Sequence, residues 1–248
     1  MNSSAERVPG ERFLRFLQCS LAQHAGEAER QLASLAVDLR GPLRALEDCS
    51  QVLRRHHGDR LNEEGRRMLA TVDQELGRTS RLLDGLLTYT TVANQSMTCV
   101  SVDMTALVSS VYQTLSRLSP HEALEFTLET LPPAIGDESM LRHALFNLLS
   151  NAVKFTRNSP RPAVRVRGVR RDGWCEYAVQ DNGVGFDTRN AGNLFGPFHR
   201  PLESPETAGA GLGLAIVERI IRRHGGRVWA DSTPGVGATF SFQLPAGS

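Results

Sequence analysis

Residues 138–155 read ESMLRHALFNLLSNAVKF, an apolar stretch that carries a row of polar side chains. Asn147, Asn151 and Lys154 are four and three residues apart, so they share one face of a helix, and His143 extends the row. The leucines and valine around them indicate a buried helix whose amides need partners. These polar side chains either form hydrogen bonds within the protein or bind a ligand. In the second case an asparagine amide oxygen would ligate Mg²⁺ and the lysine would face a phosphate.

Two glycine-containing segments follow. Residues 179–186 read VQDNGVGF, where a predicted strand ends at an aspartate and glycines let the backbone approach a ligand. Asp-Asn-Gly is also an ordinary turn sequence. Residues 209–217 read GAGLGLAIV and open a helix, whose free amides and positive end suit phosphate. Their spacing matches neither the dinucleotide fingerprint nor a Walker A loop.

The N-terminal part of the chain has leucines at helical spacing. This pattern predicts one helix over residues 11–57 and a second from the N-cap Asn62 through about residue 87. The basic residues before Gly58 mark the end of the first helix. Two long helices with a short link form an antiparallel hairpin, and we expect its wide apolar stripe to dimerise into a four-helix bundle.

From about residue 98 short strands and helices alternate, which predicts an α+β layer with helices on one face of a mixed sheet. A loop rich in glycine and proline spans residues 181–210. The predicted helices are 104–118, 138–155 and 212–224, and the predicted strands are 100–102, 124–128, 163–169, 175–179, 227–231 and 239–244.

The order of the motifs resembles the nucleotide site of the ATPase superfamily shared by histidine kinases, gyrase and mismatch-repair ATPases. NLLSNAVKFT is similar to the N box, DNGVGF to the first glycine box, LFGPFHR to the F box, GAGLGLAIV to the second glycine box and PGVGATFSF to the closing glycine motif. The resemblance implies a GHKL (Bergerat, HATPase_c) α/β sandwich over residues 98–246 that binds ATP with Mg²⁺.

The same resemblance assigns roles to single residues. It implies that Asp181 accepts a hydrogen bond from the adenine amino group and that Asn151 ligates Mg²⁺. Asn147 and Lys154 would contact phosphate oxygens, and Thr239 would lie behind the adenine. The implied backbone contacts to the base are at Gly183 and Gly185, and those to the phosphates are at Gly209, Gly211, Leu212 and Gly213.

The segment between the glycine boxes would be a lid over residues 190–208, with Phe195 and Phe198 packing at its root. This chain departs from the family pattern here, since Gly196 replaces the usual acidic or amide residue of the F box. His143 likewise stands where relatives often carry glutamine or another polar residue.

Residues 35–44, LAVDLRGPLR, resemble the H box of sensor histidine kinases, most closely the phytochrome-like group, whose common form is SHDLRAPLR. The resemblance implies a dimerisation and phosphoacceptor-like hairpin over 28–92, after a helical linker at 1–27. Asp38 and Pro42 are kept, but Val37 stands at the phosphoacceptor position, and Gly41 lacks the side chain linked to phosphatase activity.

A valine at position 37 removes the first phosphotransfer, because imidazole supplies the nitrogen nucleophile and valine has none. His24 lies thirteen residues upstream, roughly 20 Å away along a helix, and His56 and His57 lie far on the other side. Autophosphorylation in the H box is therefore not expected.

Three functions remain open. The leading hypothesis is an ATP-binding histidine kinase-family protein of two-component signalling, without its own phosphoacceptor, that works with a response regulator or a partner histidine kinase. One alternative phosphorylates a histidine on a partner protomer. The other is a non-catalytic pseudokinase whose bundle regulates a partner kinase or response regulator. The hairpin disfavours a stand-alone gyrase-like ATPase.

Composition excludes several classes of partner. The 248 residues carry a net charge of +1, which gives no reason to expect nucleic acid. No apolar run approaches the roughly 20 residues of a membrane span. The four cysteines are scattered, which predicts free thiols in a reducing cytoplasm rather than a metal or disulfide framework.

Overall fold

A computed structural model describes residues 9–118, 123–188, 193–198 and 211–246, with side chains from residue 27 onward. The chain divides into two compact units, residues 1–73 and 74–248. None of the helices in these described ranges combines the length and the apolar character that a membrane span requires.

The first unit is helical. Helix α1 (Pro9–His57) ends in four basic residues, a short 3-10 turn (Gly58–Arg60) follows, and helix α2 (Glu63–Asn94) begins in this unit. The Oδ1 atom of Asn62 accepts a hydrogen bond from the amide of Gly65 at 2.8 Å. Because that amide has no partner inside the helix, Asn62 is the N-cap of α2, as predicted.

Helix α1 and the first turns of α2 expose many large apolar side chains. Val37 is 57% exposed, whereas Ala36 and Leu43 are buried. The exposed set includes Leu32, Leu35, Leu39, Leu46, Val52, Leu53, Met68 and Val72. This is more apolar surface than scattered single residues produce, and such surface typically marks an interaction site.

The second unit contains the end of α2 and the predicted α+β layer. Its elements are β1 (Val100–Val102), α3 (Met104–Leu118), β2 (Glu125–Leu128), β3 (Ala134–Gly136), α4 (Glu138–Phe155), β4 (Ala163–Arg171), β5 (Trp174–Asp181), α5 (Gly213–Arg223), β6 (Arg227–Thr233) and β7 (Gly237–Pro245). The main sheet has the order β2-β4-β5-β7-β6, in which β2 runs parallel to β4 and the other neighbours are antiparallel. A separate antiparallel pair joins β1 to β3.

One face of this sheet is apolar and packs against the helices. Alternate residues of β5 and β7 are buried, and the rings of Tyr177 and Phe242 stack with centroids 5.0 Å apart. The hydroxyl of Tyr177 donates to the carbonyl oxygen of Pro132 at 2.8 Å, and burial raises the pKa of Tyr177 above its ordinary value. The mixed sheet with an α/β sandwich arrangement confirms the predicted fold class.

Strand β3 was not predicted. It has three residues and follows two prolines, so it is too short to show an alternating pattern. Its pairing with β1 is decided by the tertiary structure, where Ser101 lies opposite Ile135.

Candidate nucleotide site

Helix α4 carries the predicted polar row and meets the start of α5. Asn147 is half-buried, and its Nδ2 donates to the carbonyl oxygen of His143 at 2.9 Å. Its Oδ1 lies so close to α5 that a Cβ atom at Gly213 would come within 2.8 Å of it. The N box and the second glycine box, 66 residues apart (213 − 147), therefore form one surface.

The other members of the row remain near solvent. Asn151 and Lys154 are half-buried, and His143 is exposed. The Nζ atom of Lys154 lies 5.2 Å from the centre of the neighbouring Phe155 ring. The side chains of Asn151 and Lys154 are therefore exposed enough to reach a ligand beside α4.

Asp181 ends strand β5 and is 5% exposed. Burial raises the pKa of its carboxyl group, although hydrogen bonds from the amides of Gly183 and Ala238 oppose the shift. The Gly183 amide donates to Oδ1 at 2.9 Å. An ionised carboxylate has about four acceptor sites, so after these two amides it can still accept from a ligand amino group.

The first glycine box runs between two backbones. A Cβ atom at Gly183 would lie 2.4 Å from the carbonyl oxygen of Phe155, at the end of α4. Gly185 has φ of +60°, and a Cβ there would lie 2.2 Å from the carbonyl oxygen of Thr233. Only glycine satisfies both the space and the dihedral angle, so this loop is held against the N box and the closing glycine motif.

The structure corrects the prediction for Thr239. Ala238 lies opposite Asp181 in the β5–β7 ladder, and Thr239 lies opposite Gln180. Since side chains alternate along a strand, Thr239 points to the opposite face of the sheet from Asp181. The position beside Asp181 belongs to Ala238, which has no hydroxyl group.

The second glycine box opens α5 without a side-chain cap. Gly211 has φ of +68°, Leu212 is 1% exposed, and no side chain caps the helix at Leu212. The first amides of α5 are therefore unsatisfied by any cap, which is the usual condition of an anion-binding helix start. Gly209 lies outside the described residues.

Only part of the F box and lid is described. Phe195 packs partly buried against the core, as predicted. Phe198 does not pack there: it is 62% exposed, with φ of +62°, and its amide donates to the carbonyl oxygen of Gly211 at 2.9 Å. Most of the predicted lid, residues 190–192 and 199–208, lies outside the described residues.

A buried histidine that sequence reasoning missed supports α4. The Nε2 atom of His224 accepts from the amide of Asp137 at 3.0 Å, so the proton is on Nδ1, which lies 2.7 Å from the carbonyl oxygen of Ile220. Burial lowers the pKa of His224. A Cβ at Gly136 would lie 2.7 Å from the imidazole. No motif or spacing in the sequence marks this histidine.

Asp137 caps α4 beside that histidine. Burial opposes ionisation of its carboxyl group, but hydrogen bonds from the amides of Thr98, Met140 and Ser139 and from the Ser139 hydroxyl outweigh it and lower the pKa of Asp137 to about 2. The charged carboxylate at this end of α4 also complements the helix dipole.

The described residues hold no group of three or more His, Cys, Asp or Glu side chains that would form a protein-only metal site. Mg²⁺ needs no such group, because it commonly takes one or two protein oxygens and completes its shell with phosphates and water. The amide oxygen of Asn151, half-exposed on α4, fits that requirement.

Sequence comparisons relate this chain to known proteins. Residues 136–248 match the family model described as histidine kinase-, DNA gyrase B- and HSP90-like ATPase. The chain is 30% identical over 235 residues to the phytochrome-like protein Cph1 of Synechocystis sp., covering 92% of this chain and 31% of that protein. The chain thus spans less than a third of the length of that curated relative.

Two solved structures are also similar. Full-length ShkA in complex with AMPPNP aligns with a TM-score of 0.66 and 28% identity, over 88% of this chain and 46% of that chain. The mycobacterial sensor histidine kinase MprB aligns with a TM-score of 0.52 and 31% identity, over 60% of this chain and 97% of that chain.

Proposed function

The chain belongs to the histidine kinase-like ATPases of two-component systems, and from that premise we propose that it binds ATP and Mg²⁺ but carries no phosphoacceptor of its own. The observation that carries this proposal is the close approach of Asn147 to Gly213, which joins the N box to the phosphate-binding glycine box. A Cβ at position 213 would lie 2.8 Å from the Oδ1 atom of Asn147, so the two motifs lie side by side and a side chain at position 213 would displace the Asn147 amide.

Each part of the nucleotide then has a partner in this chain. Asp181 accepts from the adenine amino group, and the uncapped amides at the start of α5 bind phosphate oxygens. Asn147 and Lys154 add contacts to phosphate, and Asn151 supplies an amide oxygen to Mg²⁺. The metal ion would neutralise phosphate charge, and the protein would supply orientation.

The helical hairpin supplies the second half of the function. The apolar surface of α1 around Val37 and Leu39 fits a second copy of the chain, which supports the homodimer at residues 28–92. Valine at position 37 offers no nucleophile, so phosphate from the ATP site goes to a residue outside this H box. A histidine-bearing partner kinase and a response regulator are the partners that this chemistry requires.

A non-catalytic pseudokinase is not favoured, because the relatives are named as kinases. The test is incubation with γ-labelled ATP, alone and mixed with a histidine-bearing relative whose own ATP site is disabled. Acid-labile label on the relative supports the proposal, and its absence at saturating ATP supports the pseudokinase.

A further inference from the structure

Two arginines of α5 hold the end of helix α2. Arg219 donates to the carbonyl oxygen of Tyr89 at 3.1 Å and to its hydroxyl oxygen at 2.8 Å, and the guanidinium lies 3.7 Å from the centre of the Tyr89 ring. Arg223 donates to the carbonyl oxygens of Val92 and Gln95, the latter at 2.6 Å. These five residues are called the arginine clamp below.

The spacing of the clamp residues along α5 and α2 places them on facing sides of the two helices. Arg219 and Arg223 are four residues apart and share one face of α5, as Tyr89 and Val92, three apart, share one face of α2. The last carbonyl groups of a helix have no partner within it, and α2 ends at Asn94. Arg223 therefore satisfies a helix-terminal carbonyl and places a positive charge at the negative end of the α2 dipole.

The same helix α5 begins in the nucleotide site. A Cβ built on its first residue, Gly213, would lie 2.8 Å from the Oδ1 atom of Asn147. Arg219 follows six residues later, roughly 9 Å along the axis. Between them Ile216 and Val217 are buried in the core. Because α5 is packed along its length, its two contacts cannot shift independently.

A cavity of about 330 Å³ lies beside the clamp. Tyr89 and Arg219 line it together with Phe195 and Pro197 of the F box. The F-box segment is tied to the second glycine box by the hydrogen bond from the Phe198 amide to Gly211. The end of α2 therefore lines the same cavity as two F-box residues, Phe195 and Pro197.

We propose that the arginine clamp couples the position of the α2 end to nucleotide binding, with Tyr89 and Arg219 as positioning residues that act through α5. The clamp holds the glycine amides of α5 against Asn147, so loosening it lowers nucleotide affinity. Because coupling is reciprocal, bound nucleotide also tightens the clamp. The inference rests on the nucleotide site proposed above.

The test measures ADP affinity by calorimetry and amide hydrogen exchange of residues 89–97 with and without ADP, on the full chain. In wild type we expect ADP to slow this exchange. Tyr89→Ala and Arg219→Gln should bind ADP three- to tenfold more weakly and lose the ADP effect on exchange. Tyr89→Phe keeps the ring contact and the main-chain hydrogen bond, so it should stay close to wild type.

Arg171→Gln is the matched control. It also replaces one arginine of the second unit by glutamine, but Arg171 lies on β4, pairs with Asp172 at 3.4 Å, has a side chain that is 78% exposed and does not line the cavity. An equal loss of affinity in Arg171→Gln would overturn the proposal in favour of a general charge effect. Unchanged ADP affinity in Tyr89→Ala and Arg219→Gln, with unaltered circular dichroism, would overturn the coupling alone.

The same titration distinguishes failure of the proposed function from failure of the coupling. If the proposed nucleotide site is wrong, the wild-type chain binds no ADP, and the coupling is then wrong as well. Arg219→Lys keeps the measurement decisive where the larger substitutions do not fold. Arg219→Lys retains the charge but loses the planar fork, so weaker ADP binding in this variant supports the clamp, and wild-type affinity contradicts it.

Discussion

The imidazole of His224 accepts a hydrogen bond from the amide of Asp137 at 3.0 Å, across 87 positions of sequence. The bond joins the end of α5 to the N-cap of α4, and it requires the neutral ring, because a protonated imidazole has no acceptor nitrogen. The two helices that carry the nucleotide motifs are thus joined by a histidine whose pKa is lowered by burial.

The pH dependence of stability follows from that bond. The pKa of His224 is lowered by burial, so the unfolded state binds more protons and stability rises with pH. The contribution is complete above the ordinary value of 6.5 and is lost as pH falls through the lower folded value. Urea unfolding at pH 7.5, 6 and 5 should show this decline in wild type.

The control for that measurement is His143→Gln, which removes an exposed histidine and should leave the decline intact. His224→Gln should flatten it between pH 7.5 and 5. Asp137 contributes in a separate window, between its ordinary value of 3.8 and about 2, so it does not disturb this range. An identical pH profile in wild type and His224→Gln would contradict the assignment.

Nucleotide affinity should depend on Asp181 and Asn151. Asp181→Asn replaces one adenine-facing acceptor oxygen by an amide nitrogen, and Asn151→Asp changes the charge and donor pattern beside the phosphates. We expect each to weaken ADP–Mg²⁺ or ATP–Mg²⁺ binding at least tenfold, about 1.4 kcal/mol. Isothermal titration calorimetry is the measurement.

Thr239→Val tests the corrected orientation in the same titration. Because Thr239 lies on the far face of the sheet from Asp181, we expect affinity within about twofold of wild type, a few tenths of a kcal/mol. A tenfold loss of nucleotide affinity in Thr239→Val would show that Thr239 contributes to the adenine site and that its assignment to the far face of the sheet is wrong.

Gly183 should resist substitution more than any surface glycine. A Cβ there would lie 2.4 Å from the Phe155 carbonyl oxygen, so Gly183→Ala forces the loop off α4 and should cost about 1–3 kcal/mol of unfolding free energy. At Gly58 a Cβ meets nothing within 4 Å, so Gly58→Ala should be neutral or slightly stabilising. Thermal unfolding of both variants decides the point.

The wild-type chain should not label itself with γ-labelled ATP in the H box. Val37 has no nucleophile, and the γ-phosphate must come within roughly 3–3.5 Å of one. Val37→His separates a missing nucleophile from a lost docking geometry, since label appears only when the ATP site still reaches position 37. Acid-labile label on wild type alone, mapped to His24 or His56, would refute the interpretation of Val37.

The hairpin should make the chain a dimer at tens of micromolar. Leu46→Glu places a charge in the exposed apolar surface of α1 and should shift the mass measured by light scattering toward the monomer. Val169→Glu, on an exposed strand position of the second unit, is the matched control and should not. A monomeric wild type would point to an obligate heterodimer.

Local pattern was enough for much of the second unit. Helices α3 and α4 have the predicted bounds, because hydrophobic periodicity over fifteen or more residues and the residues at their ends are local signals. The five nucleotide-site motifs and the valine at position 37 can likewise be recognised from the sequence, since a motif is a set of residue types at short, fixed spacing.

The tertiary structure decided what depends on distant partners. Thr239 and Ala238 are neighbours in sequence, but strand register placed only Ala238 beside Asp181, since one step along a strand reverses the face. In the sequence, His224 and Arg219 look like ordinary polar residues of an amphipathic helix. Their partners are distant in the chain: Asp137 is 87 positions from His224, and Tyr89 is 130 positions from Arg219. Sequence carries local periodicity, whereas these contacts exist only after the sheet and helices have packed.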